Sequence, residues 1–417
     1  MKLIETQIGD EETTFTDFID DDGQGIGPYA ITCSMRKTNG KLVFDFNGTS
    51  PQAETAINFY LSVTMFKMFV GCYLLAVFDP YCVVNDGFHD MLEVIIPEGT
   101  ILRPVRPAPL SCRTHLLGRT MDIIQALMGQ RSPQYSAAAG FSDSPHFFYS
   151  GFKPNGEWYQ LYQIGFGGVP ARPIGDGPDC HCLFPAIKSV PAEAIELNFP
   201  LRIEANESLA DTGGAGFYRG GNAQRTLYRF LAKGEFSVHD DRWFTKPWGI
   251  NGGKPGMRSW KKLYSLNGEE KILQSKCDHV KVVPGDLLEW VTWGGGGLGD
   301  PFTRPAEKVA LEVERKLVTV NGAKRNYGVV VNEDDFSVDK EETESLRKKM
   351  KKLNKGEGAV YNRGGTLEEL RERCEEETGL KAPVPQWEND PYGPHTGLEY
   401  VQEWFKEKRE IRGWKLQ

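Results

Sequence analysis

The sequence has no G-x-x-x-x-G-K-[ST] loop, no G-x-S-x-G elbow and no H-E-x-x-H pair. Each absence removes a class of chemistry: a P-loop nucleotide site, a serine nucleophile raised on a strand-to-helix turn, and a helical zinc site with its glutamate base. Histidine is scarce, with 7 residues at positions 89, 115, 146, 181, 239, 279 and 395. The cysteines Cys33, Cys72, Cys82, Cys112, Cys180, Cys182, Cys277 and Cys374 are scattered and include no C-x-x-C pair. The first residues show no basic segment followed by an apolar run and a cleavage site. Reduced thiols and a cytoplasmic location are therefore expected. Cys180-His181-Cys182 is the one metal-like cluster. On a strand its thiols would share one face and its imidazole would point to the other, so no metal is expected there. Positive charge is not in excess either: the net charge of −8 offers no broad attraction for nucleic acid or anionic membranes. The apolar run from Ala56 to Phe78 carries Lys67 near its centre and no basic flank, which predicts a buried helix rather than a membrane span.

What the sequence has in abundance is glycine, 46 residues of 417, well above an ordinary share of roughly 7%. Three clusters fall between Asp211 and Pro301, separated by short apolar runs. Glycine serves where a backbone takes positive φ or comes close to another group, and the spacing predicts tight turns between strands. Pro284-Gly285-Asp286 precedes Leu287 to Val291, a strand-like run that leads into Gly294 to Gly297. Asn39-Gly40 lies between Tyr29 to Arg36 and Lys41 to Phe46, which predicts a hairpin. Gly23 to Pro28 imitates a dinucleotide loop, but Pro28 and a strand-like run follow where a helix should open, so a flexible loop is expected. Arg113 to Gln130 places Leu116, Leu117, Met121, Ile124 and Leu127 at helical spacing. Trp158 to Phe166 alternates as a strand, and Arg172 to Pro178 reads as a long ordered loop.

After Pro301 the composition turns helical. Ala306 to Leu317 and Lys340 to Lys352 read as charged amphipathic helices, with Tyr327 to Val331 as a short strand between them. Thr366 to Thr378 has the capping pattern of Thr366 with Glu369 and ends at Gly379. Trp387, Tyr392, Tyr400, Trp404, Phe405 and Trp414 on the polar tail imply docking on a partner or on the main body. The fold class expected is α+β: a β-rich body with glycine-rich turns, packed helices and a helical C-terminal extension, divided as 1–135, 136–304 and 305–417.

The candidate chemistry lies in Ser237 to Trp243. His239, Asp240, Asp241 and Arg242 offer a base, two carboxylates and a bidentate donor, the makings of a catalytic group. The competing interpretation is an ion-paired strand end that steadies the turn carrying Trp243 and Trp248. Asp143-Ser144-Pro145-His146 is a second, weaker candidate.

Four motifs in this order, GGAG-x-x-RGG (Gly213 to Gly221), PWG-x-x-GG-x-PG (Pro247 to Gly256), PGD (Pro284 to Asp286) and GGGG-x-GDP (Gly294 to Pro301), resemble the hydantoinase B/oxoprolinase family. Phe44 to Gln52 and Val84 to Leu102 look like it as well, so the likeness extends from about Phe15 to near Lys340. The resemblance implies a subunit of an ATP-dependent enzyme that opens cyclic amides such as oxoproline, hydantoins or lactams. It would act with a hydantoinase A-like partner that binds ATP and Mg, and be inactive alone. A related branch, the acetone and acetophenone carboxylases, supplies the alternative of a ketone carboxylase subunit; a non-catalytic assembly subunit is a third. The family's histidine- and aspartate-rich metal site lies in a further N-terminal portion that nothing here matches. The resemblance therefore places the divalent metal on that portion, which a separate chain could carry, and implies no cofactor bound by this chain alone.

Overall fold

The computed structural model describes residues 8–75, 81, 83–131, 136–140, 145–153, 155–181, 188–353 and 360–386. The expected aromatic tail from Trp387, the residues Asp143 and Ser144, and Cys182 lie outside the described residues, as do Ala76, Val77 and Phe78 at the end of the apolar run. The chain divides into two compact units: the described residues up to Ser136 with those from Pro383 onward, and Ala137–Ala382. The fold is α+β, as expected.

The first unit is built on a four-stranded sheet in sequence order, from β1 (Thr13–Ile19), β2 (Tyr29–Thr38), β3 (Lys41–Asp45) and β4 (Leu92–Ile95). The hairpin between β2 and β3 turns at Asn39 and Gly40, with φ of 51° and 74°, the left-handed pair that a two-residue turn of this type requires. Strands β3 and β4 run parallel, which obliges a crossover between them, and the helix Val63–Tyr73 lies in it. That helix is shorter than the apolar run that announced it. Ser62 caps its start by accepting from Met65 N at 3.2 Å. The residues before Ser62 are extended instead, because Phe59 and Leu61 donate their N–H groups to Ile101 and Leu102. Phe66 packs edge-on against Phe44 and Phe46, and the half-buried Lys67 donates to His89 O at 2.8 Å. No helix among the described residues is long and apolar enough to cross a membrane.

The helix Arg113–Arg131 appears where the apolar spacing put it. It packs on β1 and β2, and Arg131 closes its end by donating to Gly9 O, Met35 O and Thr13 Oγ1. The Gly23 to Pro28 loop is tied down rather than loose. The Asp22 carboxylate accepts from Gln24 N and Ile26 N at 2.8 and 3.1 Å, and a strand follows, not a helix.

The second unit is a pair of antiparallel sheets over one core. One sheet orders β12 (Glu270–Ile272), β11 (Trp260–Tyr264), β14 (Leu287–Val291), β8 (Gln224–Phe230) and β7 (Leu201–Ser208); the other orders β13 (Lys276–Val282), β9 (Gly234–His239), β5 (His146–Phe152) and β6 (Trp158–Ile164), while the short β10 (Gly249–Ile250) pairs with Tyr361–Asn362 outside both. The alternation read in Trp158 to Phe166 is the pleat of β6, exposed and buried by turns. Inward residues from both sheets, among them Phe147, Tyr149, Tyr228, Phe230, Phe236 and Trp290, form a single cluster. The Phe147 and Tyr228 rings stack across it at 4.5 Å.

Beyond the sheets, the glycine motifs form a layer in which backbone rests on backbone. Gly295 N donates to Gly221 O, Gly214 N to Gly295 O, Gly296 N to Ala139 O and Gly297 N to Lys254 O, at 2.7 to 3.0 Å. None of Gly294 to Gly297 has positive φ. A Cβ on any of them would collide with a carbonyl of Thr212, Val169, Trp248 or Ala215. Close approach, rather than the expected turns, is what these glycines supply.

The helix Ala306–Glu314 buries Val309, Ala310 and Val313 in a cluster with Ala215, Tyr327, Val329 and Val331. The strand expected over Tyr327 to Val331 does not form. Residues Ala323–Tyr327 make a π-helical turn ended by Gly328 at φ 61°, and the bonds of the following backbone go to Ala323, Thr343 and Asp339. The capping box of Thr366 and Glu369 is present, but the expected helix breaks at Arg373 into Leu367–Glu372 and Cys374–Thr378. Leu370 and Cys374 pack these turns onto Trp243 and Phe244, and Gly379 ends them at φ 73°.

Candidate functional site

His239 ends β9, and alternation along the strand sends its ring and the Asp240 carboxylate to opposite sides. His239 Nε2 lies 2.7 Å from Asp278 Oδ1. Burial opposes ionisation of Asp278, but the histidine's charge and hydrogen bond outweigh it and hold that carboxyl below its usual range. Asp240, Asp241 and Arg242 are fully buried. Asp240 accepts from Lys261 Nζ at 2.6 Å, from Ser259 Oγ at 3.3 Å and from Trp290 Nε1 at 3.2 Å. Asp241 accepts from Lys276 Nζ at 3.1 Å. Both lysines are almost wholly enclosed, so these are ion pairs inside the body, where each charge depends on its partner. Arg242 adopts φ 64° and donates to Thr245 Oγ1 and Lys246 O, both at 3.5 Å. The structure thus brings Asp240, Asp241 and Arg242 together and sets His239 apart. Of the second candidate, His146 Nδ1 bonds Tyr162 OH at 2.8 Å. Cys180 stands at φ 46°, off any strand geometry, and burial pushes its thiol up to about 11.

In front of this buried group opens a cavity of about 920 Å³. Its walls come from Asp211 to Gly213 and Ala215, from Lys254 to Trp260 with Lys246, from Arg325 and Asn326, and from Glu376 to Gly379. Ser259 joins the two places: it lines the cavity, its hydroxyl donates to Asp241 O at 2.8 Å, and its N–H donates to Arg242 O. Arg242 likewise holds the backbone of Lys246, another lining residue. Asp240, Asp241 and Arg242 therefore stand behind the cavity wall and fix it, whereas His239 does not.

The wall itself is cationic. Arg258 donates Nε to Phe244 O at 3.1 Å and Nη1 to Glu377, and Lys246 Nζ lies 3.7 Å from the same carboxylate. Burial raises the Glu377 carboxyl, but the charges of Arg258 and Lys246 outweigh it and hold it below the usual range. Burial, and then the neighbouring Arg258, lower the Lys246 ammonium. Burial and Arg325 do the same to Lys254. The motif containing Lys254 is legible in the sequence by its glycines, and nothing in its pattern marks the lysine. Lys246, Arg258, Arg325 and Glu377 were not singled out, and the only available signal was the recurrence of Lys and Arg around Pro247 to Gly256.

A second charged network pins the loop Arg172 to Pro178. Arg304 grips Asp176 through two bonds of 2.8 Å and reaches Glu312 at 2.5 Å. Arg219 of the RGG motif joins Glu312 to Asp179. Among the described residues no group of three or more His, Cys, Asp and Glu side chains is placed to hold a metal ion.

The sequence model of the family described as Hydantoinase B/oxoprolinase matches residues 1–301. An uncharacterized protein of Methanocaldococcus jannaschii is 33% identical over 320 residues, covering 76% of this chain and 55% of that protein. Caprolactamase subunit beta of Pseudomonas jessenii is 27% identical over 348 residues, 80% of this chain and 59% of that one. The crystal structure of the ATP-dependent caprolactamase from that organism superposes with a TM-score of 0.71 at 23% identity, covering 82% of this chain and 60% of the other. A nucleotide-free acetone carboxylase superposes with a TM-score of 0.75 at 18% identity, over 99% of this chain and 61% of that chain. Both superpositions speak to the fold. The chain spans somewhat over half the length of these two curated relatives.

Proposed function

Because the chain belongs to the hydantoinase B/oxoprolinase family, we propose that it is one subunit of an ATP-dependent enzyme that opens cyclic amides. In this reading the complementary subunit is hydantoinase A-like and holds ATP with Mg. The observation that supports it most is that three of the four motifs carrying the family likeness, Gly213 to Gly221, Pro247 to Gly256 and Gly294 to Pro301, meet in one continuous piece of the molecule, the glycine layer, and that this layer borders the cavity. Among the described residues no cluster of side chains fits a divalent metal. The family's metal is accordingly assigned to another portion, which a separate chain could carry, and no step is routed through it.

Asp240, Asp241 and Arg242 are proposed as positioning residues. Asp240 and Asp241 hold Ser259 and the buried lysines, and Arg242 holds Lys246, so that the lining side chains keep their places without reorganising when a ligand arrives. The test is co-expression with a hydantoinase A-like subunit, followed by ATP hydrolysis assays dependent on oxoproline, a hydantoin or a lactam. Turnover by the isolated chain would overturn the partner requirement, and product formation dependent on bicarbonate would move the assignment to the ketone carboxylase branch. Unchanged turnover in a folded complex carrying Asp240→Asn and Asp241→Asn would reduce the chain to an assembly subunit.

A further inference from the structure

The cavity between Lys254 and Glu377 holds more positive charge than its own acids answer. Lys246, Lys254, Arg258, Lys262 and Arg325 line it, against Asp211, Glu376 and Glu377. Lys262 is paired with Glu270. Asp211 is committed to the N–H and hydroxyl of Thr319 at 3.0 and 2.5 Å, and Glu377 is shared among Arg258, Lys246 and Arg373. Among the described residues no carboxylate stands within ion-pair distance of Lys254 or Arg325.

Arg258 adds an independent observation. It is only 7% exposed, and its Nη2 has no hydrogen-bond partner among the described residues. With Glu377 shared among several cations, the Arg258 guanidinium at the cavity wall is incompletely compensated, and the planar fork of arginine matches phosphate oxygens. Lys254 is fixed in place by the glycine layer: its N–H donates to Ala215 O at 2.7 Å and its carbonyl accepts from Gly297 N at 3.0 Å. Its ammonium lies 5.9 Å from the centre of the Phe302 ring. Met257, Trp260 and Ile272 give the same cavity an apolar side, and its volume falls within the roughly 300–1,000 Å³ of small-molecule sites, more than a bare inorganic ion fills.

We propose that this cavity binds a phosphate-bearing small molecule, with Lys246, Lys254, Arg258 and Arg325 meeting the phosphate and the apolar wall meeting its organic body. The lowered ammonium groups of Lys246 and Lys254 agree with it, since buried like charges stand together there awaiting a counter-charge. The proposal does not depend on the subunit reading, because it concerns binding by this chain alone.

The experiment is calorimetric titration of the purified full chain with inorganic phosphate, pyrophosphate and ADP, each against sodium chloride at matched ionic strength. Saturable binding is expected, tighter for pyrophosphate than for phosphate. Lys254→Gln and Arg325→Gln should each weaken it by about tenfold or more, the effect of one charge-assisted bond. Lys281→Gln, an exposed lysine outside the cavity, should leave it unchanged. Binding of ADP well above that of pyrophosphate would support the proposal and identify a nucleoside as the organic body. Both cavity variants should melt no lower than the parent without ligand, since each removes an unanswered charge, so loss of binding can be told from loss of fold. No saturable binding of any probe, or binding undiminished in Lys254→Gln and Arg325→Gln together, overturns it.

Discussion

Asp240 shows how a residue that looks catalytic in sequence can be spent on structure. A carboxylate on a short His-Asp-Asp-Arg run has the right chemistry for a base, yet at 0% exposure it is already saturated by Lys261, Ser259 and Trp290. Asp240→Asn would leave the Lys261 ammonium buried opposite a neutral amide. Removing one partner of such a pair costs about 3–5 kcal/mol, a loss that urea unfolding would read as a lower midpoint at unchanged slope; a loss under about 1 kcal/mol would show that Lys261 does not depend on it. Asp176 carries the pH dependence. Burial alone would raise its pKa, but Arg304, through two hydrogen bonds and its charge, outweighs burial together with Lys308 and holds the carboxyl well below the ordinary range. Its folded-state pKa thus lies under the unfolded value of about 3.9. Its stabilisation is complete above that value and is lost as pH falls towards the folded pKa. Asp176→Asn should therefore flatten the fall in melting temperature below about pH 4, while lowering stability near neutrality. An acid limb as steep as the parent's would place the sensitivity in other carboxylates.

Among the elements, the glycine layer shows most clearly what a motif can and cannot tell. That Gly294 to Gly297 matter is evident from the run itself; that they matter for contact rather than for turning is not, because both uses select the same residue. Gly296→Ala would drive a methyl into Trp248 O and Ala138 Cβ. In a layer of backbone against backbone nothing can rotate away, so insoluble protein, or a loss above about 3 kcal/mol as for severe overpacking, is expected. Gly268→Ala is the control. It sits at φ 87° with open space around its Cβ, so only the left-handed conformation is penalised, by about 1–2 kcal/mol. Similar losses at the two positions, measured by thermal melting, would refute the contact explanation. Where local chemistry decides, the sequence sufficed: the Asn39-Gly40 hairpin, the Thr366 capping box and the pleat of β6 all follow from a few neighbouring residues. It failed at Tyr327 to Val331, where an apolar run reads as a strand but its bonds are claimed by helix ends.

For the whole molecule, the core of Ala137–Ala382 draws on both sheets and is complete within that span. Residues 137–382 expressed alone should therefore melt cooperatively with a β-type circular dichroism spectrum; a broad transition without cooperativity would mean that the rest of the chain is needed to close the core. The sequence by itself determined the α+β class, the family and the exclusion of P-loop, nucleophile-elbow and helical zinc chemistry. Each of these rests on local pattern or on the order of motifs along the chain. Only the tertiary structure decided that Asp240, Asp241 and Arg242 lie behind a wall, and that Lys254, Arg258, Arg325 and Glu377 meet in front of it. Residues as far apart in sequence as Lys254 and Glu377 converge there, and distance in space is information that spacing along a chain does not hold.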